Sequence, residues 1–140
     1  MEIFYYDLFV RYNVCIKLLN NSNKLVIKKL AEQKPSNINL CSIVEFELYY
    51  GAYHSQKSSE NIKKLDRFFS QFKVLNFDSN CARIAGMIRS RLNKKGTPIG
   101  VYDLQIASIA LAHDLILVTH NISEFSRVDN LKYEDWEIMG

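Results

Sequence analysis

Apolar positions along the chain change their period several times, and each change marks an element. Over 3–10, aromatic and β-branched residues crowd together, which is the composition of a strand. Over 13–20 and 25–33 the apolar residues recur at helical intervals (Ile16, Leu19; Leu25, Ile27, Leu30), and Asn20-Asn21-Ser22-Asn23 breaks the two apart. Pro35 closes that region. The stretch 38–43 predicts a second strand, running directly into a helix that ends about His54. Ile62, Leu65, Phe68, Phe69 and Phe72 place a helix over 58–71, and 73–77 predicts a strand. Asp78 or Ser79 suits the N-cap of a helix ending near Lys95. Beyond the loop Gly96-Thr97-Pro98-Ile99-Gly100, a helix is expected from Val101 to about His113. A continuously apolar strand over 115–119, a short turn or helix over 121–125 and a last strand over 131–136 complete the pattern.

Strands separated by helices predict an α/β fold, a mostly parallel central sheet with helices on both faces. Such sheets bind ligands outside the carboxyl ends of their strands. Residues that matter are therefore expected just after Val10, Ile43, Phe77 and Thr119. No repeat and no shift in composition divides the 140 residues, so a single domain over 1–140 is expected. A hydrophobic share of 48% with 24% charged residues excludes a disordered chain, and two prolines and five glycines leave no room for a flexible linker. The net charge of +3 suits an anionic partner without demanding one.

Cys15, Cys41 and Cys81 follow no metal-ligand spacing and sit in apolar surroundings, so they read as reduced core residues. No apolar run reaches the ~18 residues a membrane span requires. An acid, Glu2, stands where a signal peptide carries basic residues. A cytoplasmic protein without membrane contact is expected.

Four polar features fall at the predicted carboxyl edge. Glu47 lies in Glu45-Phe46-Glu47-Leu48-Tyr49-Tyr50-Gly51-Ala52, either as a solvated helix acid or as part of a site. Gly51 in the same helix predicts a close backbone approach, since glycine costs about 1 kcal/mol there relative to alanine. Asp103 opens an otherwise apolar helix, where an acid ordinarily serves the helix dipole. Asn121 follows the buried strand and is a candidate N-cap, with Thr119 before it and Glu124 after it. Acids gathered at one sheet edge suit a hard divalent cation, Mg²⁺ or Mn²⁺, which takes oxygen ligands and activates water against a phosphodiester. His54, His113 and His120 stand in no nucleophile motif, and no phosphate-cradling glycine-rich turn is present.

These segments resemble PIN-domain ribonucleases of the VapC type, the toxin half of type II toxin–antitoxin pairs. The likeness spans nearly the whole chain and rests on Asn13-Val14-Cys15-Ile16-Lys17-Leu18-Leu19, Glu47-Leu48-Tyr49-Tyr50-Gly51-Ala52, Ile99-Gly100-Val101-Tyr102-Asp103-Leu104-Gln105-Ile106-Ala107 and Thr119-His120-Asn121-Ile122-Ser123-Glu124-Phe125. The resemblance implies a Rossmann-like α/β/α sandwich and Mg²⁺- or Mn²⁺-dependent cleavage of RNA. It also implies a homodimer and inhibition by a cognate antitoxin protein. By position, Glu47 and Asp103 match the family's metal-site acids, with Glu124 as a further acid. Asn121 matches a catalytic Asp or Asn, and Asn13 and Thr119 match supporting residues.

At the end of the first strand the family carries Asp-Thr-Asn, whereas this chain reads Arg11-Tyr12-Asn13. A guanidinium stays protonated and cannot ligate a metal. Arg11 is expected to disrupt the ion's place, bridging Glu47 and Asp103 instead. Asp7, four strand residues upstream, is displaced by about 13 Å. The alternative function is thus a catalytically inactive PIN domain that binds an antitoxin or RNA. Arg89, Arg91, Lys94 and Lys95 are candidate phosphate contacts, or cations placed for a helix C-terminus. Leu25, Ile27, Leu30 and Phe68-Phe69 are expected to form a partner groove, or else core.

Overall fold

The computed structural model describes residues 8–10, 15, 19, 20 and 24–137. In chain order the elements are β1 (Leu8–Val10), α1 (Lys24–Ala31), a 3₁₀ turn (Pro35–Asn37), β2 (Ile38–Cys41) and α2 (Ser42–Tyr53). There follow α3 (Ser58–Phe69), β3 (Lys73–Leu75), α4 (Ser79–Lys94), α5 (Val101–Ala112), β4 (Ile116–Val118), α6 (Ile122–Phe125) and β5 (Lys132–Glu134). Cys15 and Leu19 also have helical backbone.

The strands lie in the order β3-β2-β1-β4-β5, and every pairing among the described residues is parallel. Val10 pairs with Val118, Cys41 with Leu75 and Val118 with Glu134. From β1 the chain builds outward through β2 and β3, then returns to the other side of β1 for β4 and β5. The strand order therefore reverses between β1 and β4, and folds of this kind bind ligands at the carboxyl ends of the strands flanking that point.

All four residues of β2 and all three of β4 are buried. Successive side chains point to opposite faces, so both faces of the sheet are covered. Helix α5 is the innermost helix: Ile106, Ala107, Ser108, Ile109 and Ala110 are all fully buried. Ser108 satisfies its hydroxyl by donating to the Leu104 carbonyl at 2.7 Å. Asp78 caps α4 as expected, its Oδ1 accepting from the Cys81 N–H at 3.0 Å. Gly96, at φ +72°, ends the same helix in the left-handed region that glycine adopts without steric cost. The three cysteines are free and buried. Among the described residues no helix is long and apolar enough to cross a membrane.

Two expectations change, and one alternative is decided for the core. Ser42 and Ile43 belong to α2 rather than β2, because Cys41 ends the strand as the extended N-cap of that helix. Among the described residues an added Cβ at Gly51 would meet nothing within 4 Å, so no neighbouring backbone there requires that glycine. Phe69 is core and Phe68 packs against it, whereas the large exposed apolar side chains are Phe46, Tyr50, Tyr53, Met87, Val101 and Tyr102. The aromatic surface thus lies on α2 and the start of α5.

Phe125 is fully buried directly behind Glu124. Phe125→Ala is expected to cost about 3–5 kcal/mol of unfolding free energy in a denaturant titration, the usual cost of emptying an aromatic core position.

Candidate active site

The loop leaving β4 organises the site. Its buried Ile-Leu-Val strand ends at Thr119, which is fully buried and donates its N–H to the Glu134 carbonyl at 2.9 Å. The Thr119 hydroxyl oxygen accepts from the Asn121 N–H at 3.0 Å, fixing the turn into α6. Asn121 occupies the N-cap position of α6, yet its side chain makes no cap hydrogen bond. Its amide instead donates to Asp103 Oδ2 at 3.2 Å and to Glu124 Oε2 at 3.4 Å. The simple N-cap explanation therefore fails, and Asn121 bridges two carboxylates.

Asp103 sits in the first turn of α5 and is only 8% exposed, unlike an acid serving the helix dipole in solvent. Glu124 lies beside it on α6. Its pKa is raised, first by its hydrogen bond with Asp103, then by burial and by the Asp103 charge. The two carboxylates thus oppose each other's ionisation, a repulsion that a bound cation would relieve. The donors are all oxygen, which suits Mg²⁺ or Mn²⁺.

Glu47 is half-buried on α2, one residue from Phe46, whose ring meets that of Tyr102 edge-on with centroids 6.0 Å apart. That contact brings the second turn of α2 alongside the start of α5, at the residue before Asp103. The structure thus joins Asp103, Asn121 and Glu124 by hydrogen bonds and sets Glu47 on the neighbouring helix. Arg11, Tyr12, Asn13 and Asp7 lie outside the described residues.

A family model for the PIN domain matches residues 12–131. The chain belongs to the PIN-domain family. Ribonuclease VapC2 of Rickettsia felis is 39% identical over 126 residues, spanning 89% of this chain and 94% of that protein. The tRNA(fMet)-specific endonuclease VapC of Salmonella typhimurium is 36% identical over 124 residues, spanning 89% and 93%. The crystal structure of VapBC2 from Rickettsia felis bound to a DNA fragment from its promoter contains a chain matched with a TM-score of 0.83 at 36% identity, covering 92% of this chain and 98% of that one. This PIN domain therefore stands close to VapC proteins in both sequence and fold, as its motifs imply.

One neighbouring group carries no signal in the sequence. His120 pairs with Asp135 across fifteen residues, at 2.9 Å, and no local motif signals a contact of that span. The candidate phosphate contacts are exposed, and Lys95 is in an ion pair with Asp129 at 3.9 Å.

Proposed function

We propose that this PIN domain is a metal-dependent endoribonuclease, the toxin of a type II toxin–antitoxin pair. The observation that carries the reading is the Asp103–Asn121–Glu124 cluster at the point where strand order reverses, in a chain whose relatives are named ribonucleases and endonucleases. Asp103, Glu124 and Glu47 supply the oxygen ligands, and Asn121 holds the first two in register. Bound Mg²⁺ or Mn²⁺ supplies Lewis acidity and lowers the pKa of water for attack on a phosphodiester. Thr119 holds the loop that carries Asn121 against β5. An antitoxin is the protein partner, by analogy with the VapBC complexes among the neighbours. The exposed aromatics of α2 and α5 support contact with a further protein chain, a second copy included.

The test is a Mn²⁺ titration of the metal-free chain with melting temperature and RNA cleavage as readouts. An ion that binds only the folded state stabilises it by about 2.7 kcal/mol at a hundredfold excess over Kd. Neither stabilisation nor cleavage would point to the second reading, a silent domain that binds antitoxin or RNA, which Arg11 favours. Arg89 and Lys94 allow a separate check on the RNA surface. Neutralising both is expected to flatten the salt dependence of RNA binding by close to two contacts' worth, about 0.7 each in log–log slope for a single strand. An unchanged slope would assign them to the helix terminus alone.

A further inference from the structure

A second convergence of donor atoms lies on the far side of the same loop. His120 leaves β4 between Thr119 and Asn121, while Asp135 and Glu137 flank Trp136 just beyond β5. His120 Nδ1 is 2.9 Å from Asp135 Oδ2 and 3.5 Å from Glu137 Oε2. One ligand atom from each residue falls within 4.8 Å of the others. The two carboxylate side chains retain only 9% and 12% of their exposure, against 56% for the imidazole.

The frame around them is fixed. Trp136 is 2% exposed and donates its Nε1–H to Glu134 Oε2 at 3.1 Å. The Glu137 N–H donates to Asp135 Oδ1 at 2.9 Å, which sets the two carboxylates side by side. Thr119 binds the Glu134 carbonyl, so the chain on either side of His120 and Asp135 is tied together.

Geometry and donor chemistry agree on a ligand. Ligand atoms bonded to a tetrahedral ion at 2.0–2.1 Å stand about 3.3 Å apart. The distances from His120 Nδ1, 2.9 and 3.5 Å, bracket that value. One imidazole nitrogen with two carboxylate oxygens is a donor set for Zn²⁺ or a similar divalent transition ion, softer than the all-oxygen set around Asp103. A divalent ion serves all three.

We propose that His120, Asp135 and Glu137 form a Zn²⁺-type site separate from the Asp103 cluster, with its open coordination position on the solvent side of His120. An ion there ties the end of β5 to the loop that presents Asn121, and so steadies the bridge from Asn121 to Asp103 and Glu124. The site stands whether or not the ribonuclease reading holds.

The experiment titrates the metal-free full chain with Zn²⁺ alone, following melting temperature and bound stoichiometry, and repeats it with Co²⁺ for its visible absorption. Zn²⁺ is expected to raise the melting temperature of the wild type and of Asp103→Asn equally. His120→Gln, at an exposed position that leaves the core intact, should weaken binding at least about tenfold and change the Co²⁺ spectrum. Asp135→Asn should do the same. Asp78, Cys81 and His113 also bring ligand atoms within 4.8 Å of one another, so Cys81→Ser serves as the control and should leave the titration unaltered. Zn²⁺ affinity unchanged in His120→Gln would overturn the proposal. So would binding lost in Asp103→Asn or in Cys81→Ser, each of which would place the ion elsewhere.

Discussion

Replacing Asp103 by asparagine should lower Mn²⁺-dependent RNA cleavage by about 100-fold or more, the scale on which a single charge-stabilising group acts. Asparagine keeps the size of the side chain and one oxygen to accept from the Asn121 amide, so the local packing survives. What disappears is a formal charge at a position only 8% exposed, where its attraction for a cation is least screened. The metal-free variant should melt at the same temperature as the wild type or higher, since Glu124 no longer faces a carboxylate that opposes its ionisation. The rise in melting temperature with Mn²⁺ should vanish. These opposite effects separate a metal ligand from a structural acid, because a structural acid would lose stability in the absence of metal. Full cleavage with the Mn²⁺ response intact would remove Asp103 from the reaction.

Much of this architecture is legible in the sequence because burial leaves a strong mark on composition. The Leu115–Thr119 run is apolar without alternation, and β4 is accordingly covered on both faces. Helix α5 is apolar all round and lies in the interior, so Asp103 stood out as a polar residue at the mouth of a buried element. Strand ends were less legible. Ile43 continues the apolar character of β2 after Ser42, and only the hydrogen bonding assigns the two to α2.

The role of Asn121 was legible only in part. Its position after a buried strand marks the site, but an N-cap and a carboxylate bridge look the same in sequence, and the partner is eighteen residues away. The His120–Asp135 contact went unread for the same reason, since short-range pattern carries no information about which loops meet. Phe68 and Phe69 recur at core spacing and fold inward, the core alternative for that pair. Phe46 and Tyr50 instead flank the buried stripe of Val44, Leu48 and Ala52.

The double change Arg11→Asp and Tyr12→Thr should raise both the Mn²⁺-induced stabilisation and the cleavage rate, the latter at least about tenfold over the wild type. The resemblance implies Asp-Thr-Asn where the chain reads Arg11-Tyr12-Asn13, and on that reading the site is short of one carboxylate. Aspartate adds an oxygen ligand and removes a permanent positive charge, and both effects favour a dication. Beside Asp103 and Glu124, which already oppose each other's ionisation, one more carboxylate should lower the stability of the metal-free chain. Added Mn²⁺ should restore that stability, so the sign of the change reverses with metal. Arg11→Gln divides the two contributions: it removes the charge without supplying a ligand, and should recover metal binding only in part. A fall in cleavage in both variants would instead make Arg11 a working residue, its guanidinium holding RNA phosphate beside Asp103 rather than closing the site.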